Sequence, residues 1–182
     1  MLSGAIAAAL FAASSVASAQ QIDESAPQRT ARIAFNTFMS SCIAGVVTGQ
    51  PQVEKALSTG MRRLEQRPPG LPEADPTAVV LQVRAPVGYV YLHLSPTDPT
   101  RCSVSVFGVT SDVLKNDFTA GLNDPESPYE LKRSRPVADG AATLDTWISR
   151  DARLPVGITV IHNPNAQQTG VAALYVTLSE NN

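Results

Sequence analysis

Two cysteines place the strongest constraint on what this chain can fold into. Cys42 lies in the apolar stretch FMSSCIAG, and Cys102 lies far along the chain in CSVSVF. This wide spacing excludes a C-x-x-C redox pair, and two cysteines alone do not complete a zinc site. Because both lie among Phe, Met, Ile and Val, we predict a Cys42–Cys102 disulfide that ties a helix to a strand. Two unpaired core thiols are the alternative.

The beginning of the chain indicates the compartment in which that disulfide would form. The first segment is rich in Ala and Ser, has no charged residue before Asp23 and contains the tripeptide ASA ending at Ala19. Small residues in this spacing are typical of a signal-peptidase site. We predict a signal peptide over 1–19, a flexible mature N-terminus over 20–29, and a periplasmic or secreted bacterial protein. An N-terminal helix of the mature fold is the alternative, since no Lys or Arg precedes the apolar run.

Hydrophobic periodicity predicts a single α+β domain over residues 30–182. Apolar residues recur at helical spacing from Thr30 to Val46 and again after Pro51, until the proline-rich EQRPPGLPEADP interrupts the pattern. Three strand patterns follow, then a helical pattern over TSDVLKNDFTAGLN, then four more strand patterns. Short connections favour antiparallel pairing. We expect a single antiparallel sheet of about seven strands, two N-terminal helices, and a third helix inserted between strands 3 and 4.

The two faces of the predicted sheet differ in chemistry. Side chains alternate along a strand, so the valines and leucines of the first three strands share a face with Cys102, which we expect to pack on the helices. The opposite face collects aromatic and polar side chains of the kind that binding interfaces enrich. The candidate ligand or partner residues on it are Arg84, Tyr89, Tyr91, His93, Phe107, Trp147 and Tyr175. The alternative is that the third helix or a long loop covers this face.

Charge and hydropathy exclude several partners. The chain has 14 Lys and Arg against 16 Asp and Glu, and this balance gives no reason to expect nucleic acid as a partner, because nucleic-acid binding needs a basic stripe. No segment after the leader is long and apolar enough to predict a membrane span. The densest basic run, LKRSRP, places Arg133 and Arg135 on one side of a strand, where two guanidinium groups can hold a phosphate or carboxylate. The alternative is an edge strand protected by charge.

Residues that perform catalysis or bind metals form no motif in this chain. His93 and His162 are its two histidines, and neither belongs to an H-x-x-x-H or H-E-x-x-H pattern. A G-x-S-x-G elbow, a P-loop and a G-x-G-x-x-G loop are also missing. We therefore predict no catalytic residues, metal or cofactor, and an exported binding module that uses the aromatic sheet face for a protein or small molecule. The alternative is a small periplasmic hydrolase or metal-dependent enzyme that uses His93 or His162.

Overall fold

The computed structural model describes residues 24–68, 77–136, 142–151, 156–162 and 174–178, with the backbone alone for 162 and 174–178. The predicted signal peptide lies outside these residues. Within them, no helix combines the length and the apolar character that crossing a membrane requires.

The first helical segment is continuous but changes its winding. It comprises α1 (Ala26–Thr37), a π-helical stretch (Phe38–Ile43) and α2 (Ala44–Thr48). The segment stops at Gly49, whose φ of 69° is the left-handed conformation that glycine adopts without strain. Cys42 lies in the π-helical stretch and is buried.

The same segment begins four residues before the start that periodicity predicts, inside the stretch 20–29 that was expected to be flexible. The reason is a capping box at Ser25. The Ser25 hydroxyl accepts the N–H of Gln28, and the Gln28 side chain accepts the N–H of Ser25. Reciprocal bonds of this type satisfy two of the backbone donors that a helix leaves open at its start.

The second helix is shorter than its apolar spacing predicts. We expected the helical stripe to extend through Met61 to Leu64, but α3 covers only Val53–Ser58. Gly60, with a φ of 94°, ends the turn, and the chain then forms a two-residue strand, β1 (Arg62–Arg63). This strand was not predicted.

The remaining elements coincide with the predicted patterns. They are β2 (Val79–Arg84), β3 (Tyr89–Leu94), β4 (Cys102–Phe107), α4 (Ser111–Leu122), β5 (Tyr129–Pro136), β6 (Thr143–Ser149), β7 (Val156–His162) and β8 (Leu174–Leu178). The α+β class is thus confirmed, and a helix lies between the third and fourth predicted strands.

The prediction of a single seven-stranded sheet is wrong. Four consecutive strands, β1 to β4, pair antiparallel as one set, and three consecutive strands, β5 to β7, pair antiparallel as another. The last strand, β8, lies between the two sets and pairs with β4 and β7, which gives the order β1-β2-β3-β4-β8-β7-β6-β5. Each set is preceded by a helix, and its last strand, β4 or β7, pairs with β8 and not with the other set. Short loops alone do not specify this arrangement.

Helices α1 and α4 pack together on one face of the strands. The Phe118 ring of α4 makes edge-to-face contacts with Phe35 and Phe38, at centroid distances of 5.1 and 6.4 Å. Arg32 of α1 pairs with Asp117 of α4 at 3.0 Å. The predicted aliphatic face of β2, β3 and β4 belongs to the same core, as expected from strand parity.

The predicted disulfide is confirmed. Cys42 and Cys102 are bonded, their Cα atoms are 5.3 Å apart, and both side chains are buried in the core. The bond joins the π-helical stretch to the first residue of β4, so it fixes the helical layer to the middle of the strand order.

A buried hydroxyl holds α1 against the β2–β3 turn. Thr30 Oγ1 accepts the N–H of Val87 at 3.0 Å and lies 3.1 Å from the carbonyl oxygen of Ala26. Replacing Thr30 with valine keeps the shape but leaves the Val87 N–H without this partner, so we expect the free energy of unfolding to fall by about 1 kcal/mol. Urea denaturation measures the change. Thr30→Ser, which retains the hydroxyl, is the matched control, and equal stability of the two variants would refute a role for this hydrogen bond.

Candidate binding cleft

The face of the sheet opposite the helices carries three rows of side chains that run across the strands. We name them by their exposure: an open row (Arg84, Tyr89 and Phe107), a middle row (Arg62, Gln82, Tyr91 and Ser105) and a closed row (Val80, His93 and Ser103). Members of a row are register partners on neighbouring strands. Because residues at alternate positions share a face, β2, β3 and β4 each contribute to all three rows.

Along β3, exposure falls from the open row to the closed row. Tyr89 is 41% exposed, Tyr91 is 6% exposed, and His93 is 3% exposed. The sequence left open whether this face is free or covered. In the structure it is open at the Arg84 end and closed at the His93 end.

The segment that follows β1 closes part of this face. Leu64 packs against Val80 and Tyr91, and its N–H donates to the carbonyl oxygen of Val80 at 2.9 Å. The Tyr91 ring also meets Phe107 edge-to-face at 5.3 Å, and its hydroxyl accepts a hydrogen bond from Gln82 Nε2 at 2.9 Å. The Tyr91 side chain is therefore held in place by these contacts, whereas Tyr89 at the open end presents its ring to solvent.

His93 lies in surroundings that do not suit a catalytic base. Within the part of the chain that the structure describes, neither ring nitrogen has a hydrogen-bond partner, and burial, reinforced by the positive charge of Arg67, lowers the pKa of His93 from 6.5 to about 4. A catalytic histidine needs access to substrate and a group that orients its ring. The register partners of His93 are Val80 and Ser103, and neither is an acid.

A cleft of about 460 Å³ opens at the exposed end of the face. Its described lining is Gly60, Arg62, Gln82, Val83, Arg84 and Tyr89. Arg62 and Arg84 are exposed, so their side chains are available at the cleft. Two guanidinium groups provide planar sets of donors for a carboxylate or phosphate, and the tyrosine ring offers a flat apolar surface. None of the described lining residues is acidic.

Positive charge extends beyond this cleft along β1. A second cleft of about 370 Å³ is lined by Arg63, Leu64, Glu65, Arg67 and residues 78–80. Together the two described linings contain four arginines and one acid. In a chain with formal net charge −2, this is a local excess of positive charge that favours anions.

The placement predicted for Trp147 is wrong. Its side chain is buried in the core on the helix side of the strands, and its indole N–H donates to Asn123 Oδ1 at 3.0 Å. Asp145, on the same face of β6, is buried, accepts a hydrogen bond from Ser134 and lies 3.5 Å from Lys115 Nζ. Trp147 and Asp145 thus face α4 and its end, where Asn123 and Lys115 are their partners, and not the opposite face of the sheet as we predicted for Trp147.

Two further predicted residues lie where only the backbone is described. Tyr175 of β8 is the register partner of Ser103 and Thr159, and His162 ends β7 opposite Thr143. Because β4 and β8 lie between β3 and β7, the strands of His93 and His162 are three spacings apart, about 14 Å. The structure does not bring the two histidines to one site. Among the described His, Cys, Asp and Glu residues, no group of three is close enough to hold a metal ion.

Arg133 and Arg135 lie far from the cleft, on β5 at the opposite end of the strand order. Both are exposed and pair in register with Thr146 and Leu144, on either side of Ser134, whose hydroxyl donates to Asp145. They therefore share a face, as predicted, but they belong to a different surface from Arg84 and Tyr89.

Sequence reasoning missed Arg62, the second guanidinium group of the cleft. Its apolar neighbours Met61 and Leu64 matched a helical stripe, so Arg62 was placed on a helix instead of on an edge strand. The glycine at position 60 was the available signal, because glycine is a poor helix former and often ends helices.

Comparison of this chain with protein-family models, with curated proteins and with solved structures finds no significant match.

Proposed function

We propose that this protein is an exported, non-catalytic binding module whose site is the cleft formed by Arg62, Gln82, Arg84 and Tyr89. Its ligand is a small anion that carries a flat or aromatic part. The observation that carries the proposal is the pairing of two exposed guanidinium groups with an exposed tyrosine ring in one cleft.

The geometry supports binding more than catalysis. Gln82, which lines the cleft, donates a hydrogen bond to the Tyr91 hydroxyl, and this bond holds the Gln82 side chain in place near the exposed ring of Tyr89. The nearest histidine, His93, is buried, and its lowered pKa keeps it neutral at physiological pH. A held Gln82 side chain beside the exposed guanidinium groups of Arg62 and Arg84 suits binding of a ligand that is released unchanged.

The disulfide supports the exported location. Structural disulfides persist in oxidising compartments such as the periplasm or the cell exterior and are rare in the cytosol. Cys42–Cys102 is buried in the core and joins distant parts of the chain, as a structural disulfide does.

Phenyl phosphate is a suitable probe because it combines a dianion with an aromatic ring. The double variant Arg62→Ala/Arg84→Ala is expected to weaken its binding at least about tenfold, since each guanidinium supplies a charge-assisted hydrogen bond. Isothermal titration calorimetry at low salt measures the affinity. The matched control is Arg133→Ala/Arg135→Ala, which removes the same charge from the opposite end of the sheet and should leave the affinity unchanged.

The tyrosine contributes separately from the arginines. Tyr89→Leu should weaken the binding of phenyl phosphate and leave the binding of inorganic phosphate unchanged, because only phenyl phosphate has a ring that can stack on the tyrosine. If the β5 arginine variant loses binding and the cleft variant does not, the anion site lies on β5 and the proposed cleft is wrong.

A further inference from the structure

We propose that β5 is a docking edge for an extended acidic peptide, which adds as a further antiparallel or parallel strand beside it. The surface is separate from the cleft of Arg62 and Arg84, so this inference does not depend on the proposed function.

The first observation is the exposure and length of this edge. Among the described strands, β5 is the longest, with eight residues, and all of them except Tyr129 are exposed. It pairs with β6 on one side and ends the strand order on the other. An edge strand leaves alternate backbone N–H and C=O groups available for another strand.

The second observation is that β5 is held firmly from its inner side. Tyr129 is buried in the core at its start, and the Ser134 hydroxyl donates to the buried Asp145. The N–H of Arg150 also donates to the carbonyl oxygen of Pro128 at 2.7 Å. A peptide would therefore meet a strand that is already in place, which reduces the entropy cost of pairing.

The third observation concerns charge. The exposed residues of β5 include Lys132, Arg133 and Arg135 against the single acid Glu130. The register shifts between Leu131 and Arg133, so Lys132 is the extra residue of a bulge. Positive charge thus dominates this edge of a chain whose formal net charge is −2.

This charge selects the partner. Pairing β5 with the β5 of a second copy would bring guanidinium groups of both strands together, and like charges across a strand pair are destabilising. An acidic strand would instead place carboxylate side chains opposite these cations, with Cβ atoms about 5 Å apart, and opposite charges across a strand pair are stabilising. Lys132, Arg133 and Arg135 therefore disfavour pairing of two β5 strands and favour the binding of an acidic peptide. Leu131, which is 50% exposed, adds an apolar contact near the bulge.

The test uses the full chain and an eight-residue peptide, acetylated and amidated, in which glutamate alternates with threonine and valine. We expect saturable binding in about 50 mM salt and slowed hydrogen exchange of the β5 amides. Two control peptides separate the contributions. One replaces glutamate with lysine, and the other carries N-methyl groups on its four central residues, which removes their hydrogen-bond donors but keeps the charge. Each should bind at least tenfold more weakly.

The matched protein variant is Lys132→Glu/Arg133→Glu/Arg135→Glu, whose altered side chains are all exposed; circular dichroism checks that it folds. This variant should no longer bind the acidic peptide and should instead bind the lysine peptide. Equal binding of the N-methylated peptide would overturn the proposal, because the contact would then be charge alone. Absence of binding to the parent peptide, or a protein dimer protected along β5, would also overturn it.

Discussion

Reduction of the Cys42–Cys102 disulfide is expected to lower the free energy of unfolding by about 4 kcal/mol. The bond closes a loop with a sequence separation of 60 residues. Restricting the unfolded chain over a loop of that length contributes about 4 kcal/mol in the chain-entropy model. Typical domains are stable by only about 5–15 kcal/mol, so the reduced protein should unfold at a much lower denaturant concentration.

Guanidinium denaturation with and without reductant measures this difference. The double variant Cys42→Ala/Cys102→Ala is the control, because it lacks the bond and should not respond to reductant. A change of less than about 1 kcal/mol on reduction of the wild type would mean that the loop is already constrained in the unfolded chain.

Acidification is expected to destabilise the protein through His93 by up to about 3 kcal/mol. Burial, assisted by Arg67, lowers the pKa of His93 to about 4 in the folded protein, from the ordinary value of 6.5. The unfolded chain therefore binds a proton at a higher pH than the folded chain does. The stability contribution is complete above pH 6.5 and is lost as the pH falls from 6.5 to about 4.

The variant His93→Leu isolates this effect from the titration of carboxylates. Leucine has a similar volume and no nitrogen atoms, and both nitrogens of His93 lack hydrogen-bond partners among the described residues. We expect the variant to be at least as stable as the wild type at pH 7. The difference between the two proteins should then grow by about 3 kcal/mol between pH 7 and pH 4, measured by urea denaturation at each pH. If the free energies of unfolding of the wild type and of His93→Leu change in parallel with pH, His93 is not buried as an unprotonated imidazole.

Strand parity predicted the faces of β2, β3 and β4 because each of these strands has one side that is aliphatic apart from Cys102. Leu81, Leu92 and Val104 all lie in the core with the helices, as expected. Tyr91 and His93 lie on the other face. The disulfide was predictable for the same reason, since Cys42 and Cys102 each lay on a side that had to be buried.

Parity failed for β6 because both of its sides carry apolar residues. Leu144 and Ile148 favoured one orientation, whereas the structure buries Trp147 with Asp145 on the helix side. The deciding partners, Lys115 and Asn123, belong to α4 and its end, and nothing in the local pattern of β6 identifies them.

The site was predictable only in part for a similar reason. Arg84 and Tyr89 lie in the cleft and were among the predicted residues, but Arg62 reaches it through β1, a strand of two residues that is too short to show a period. The position of β8 between β4 and β7 was also not predictable, because alternation identifies a strand without naming its neighbours. The predicted leader lies outside the described residues.

The most direct test of the account is an NMR titration of ¹⁵N-labelled protein with phenyl phosphate. If the cleft is the binding site, the amide signals that move most should be those of residues 60–63, 82–84 and 89, and signals of β5 should stay in place. Arg62→Ala/Arg84→Ala should abolish these shifts. Shifts centred on Arg133 and Arg135, or no shifts at millimolar probe, would contradict a binding function for this cleft.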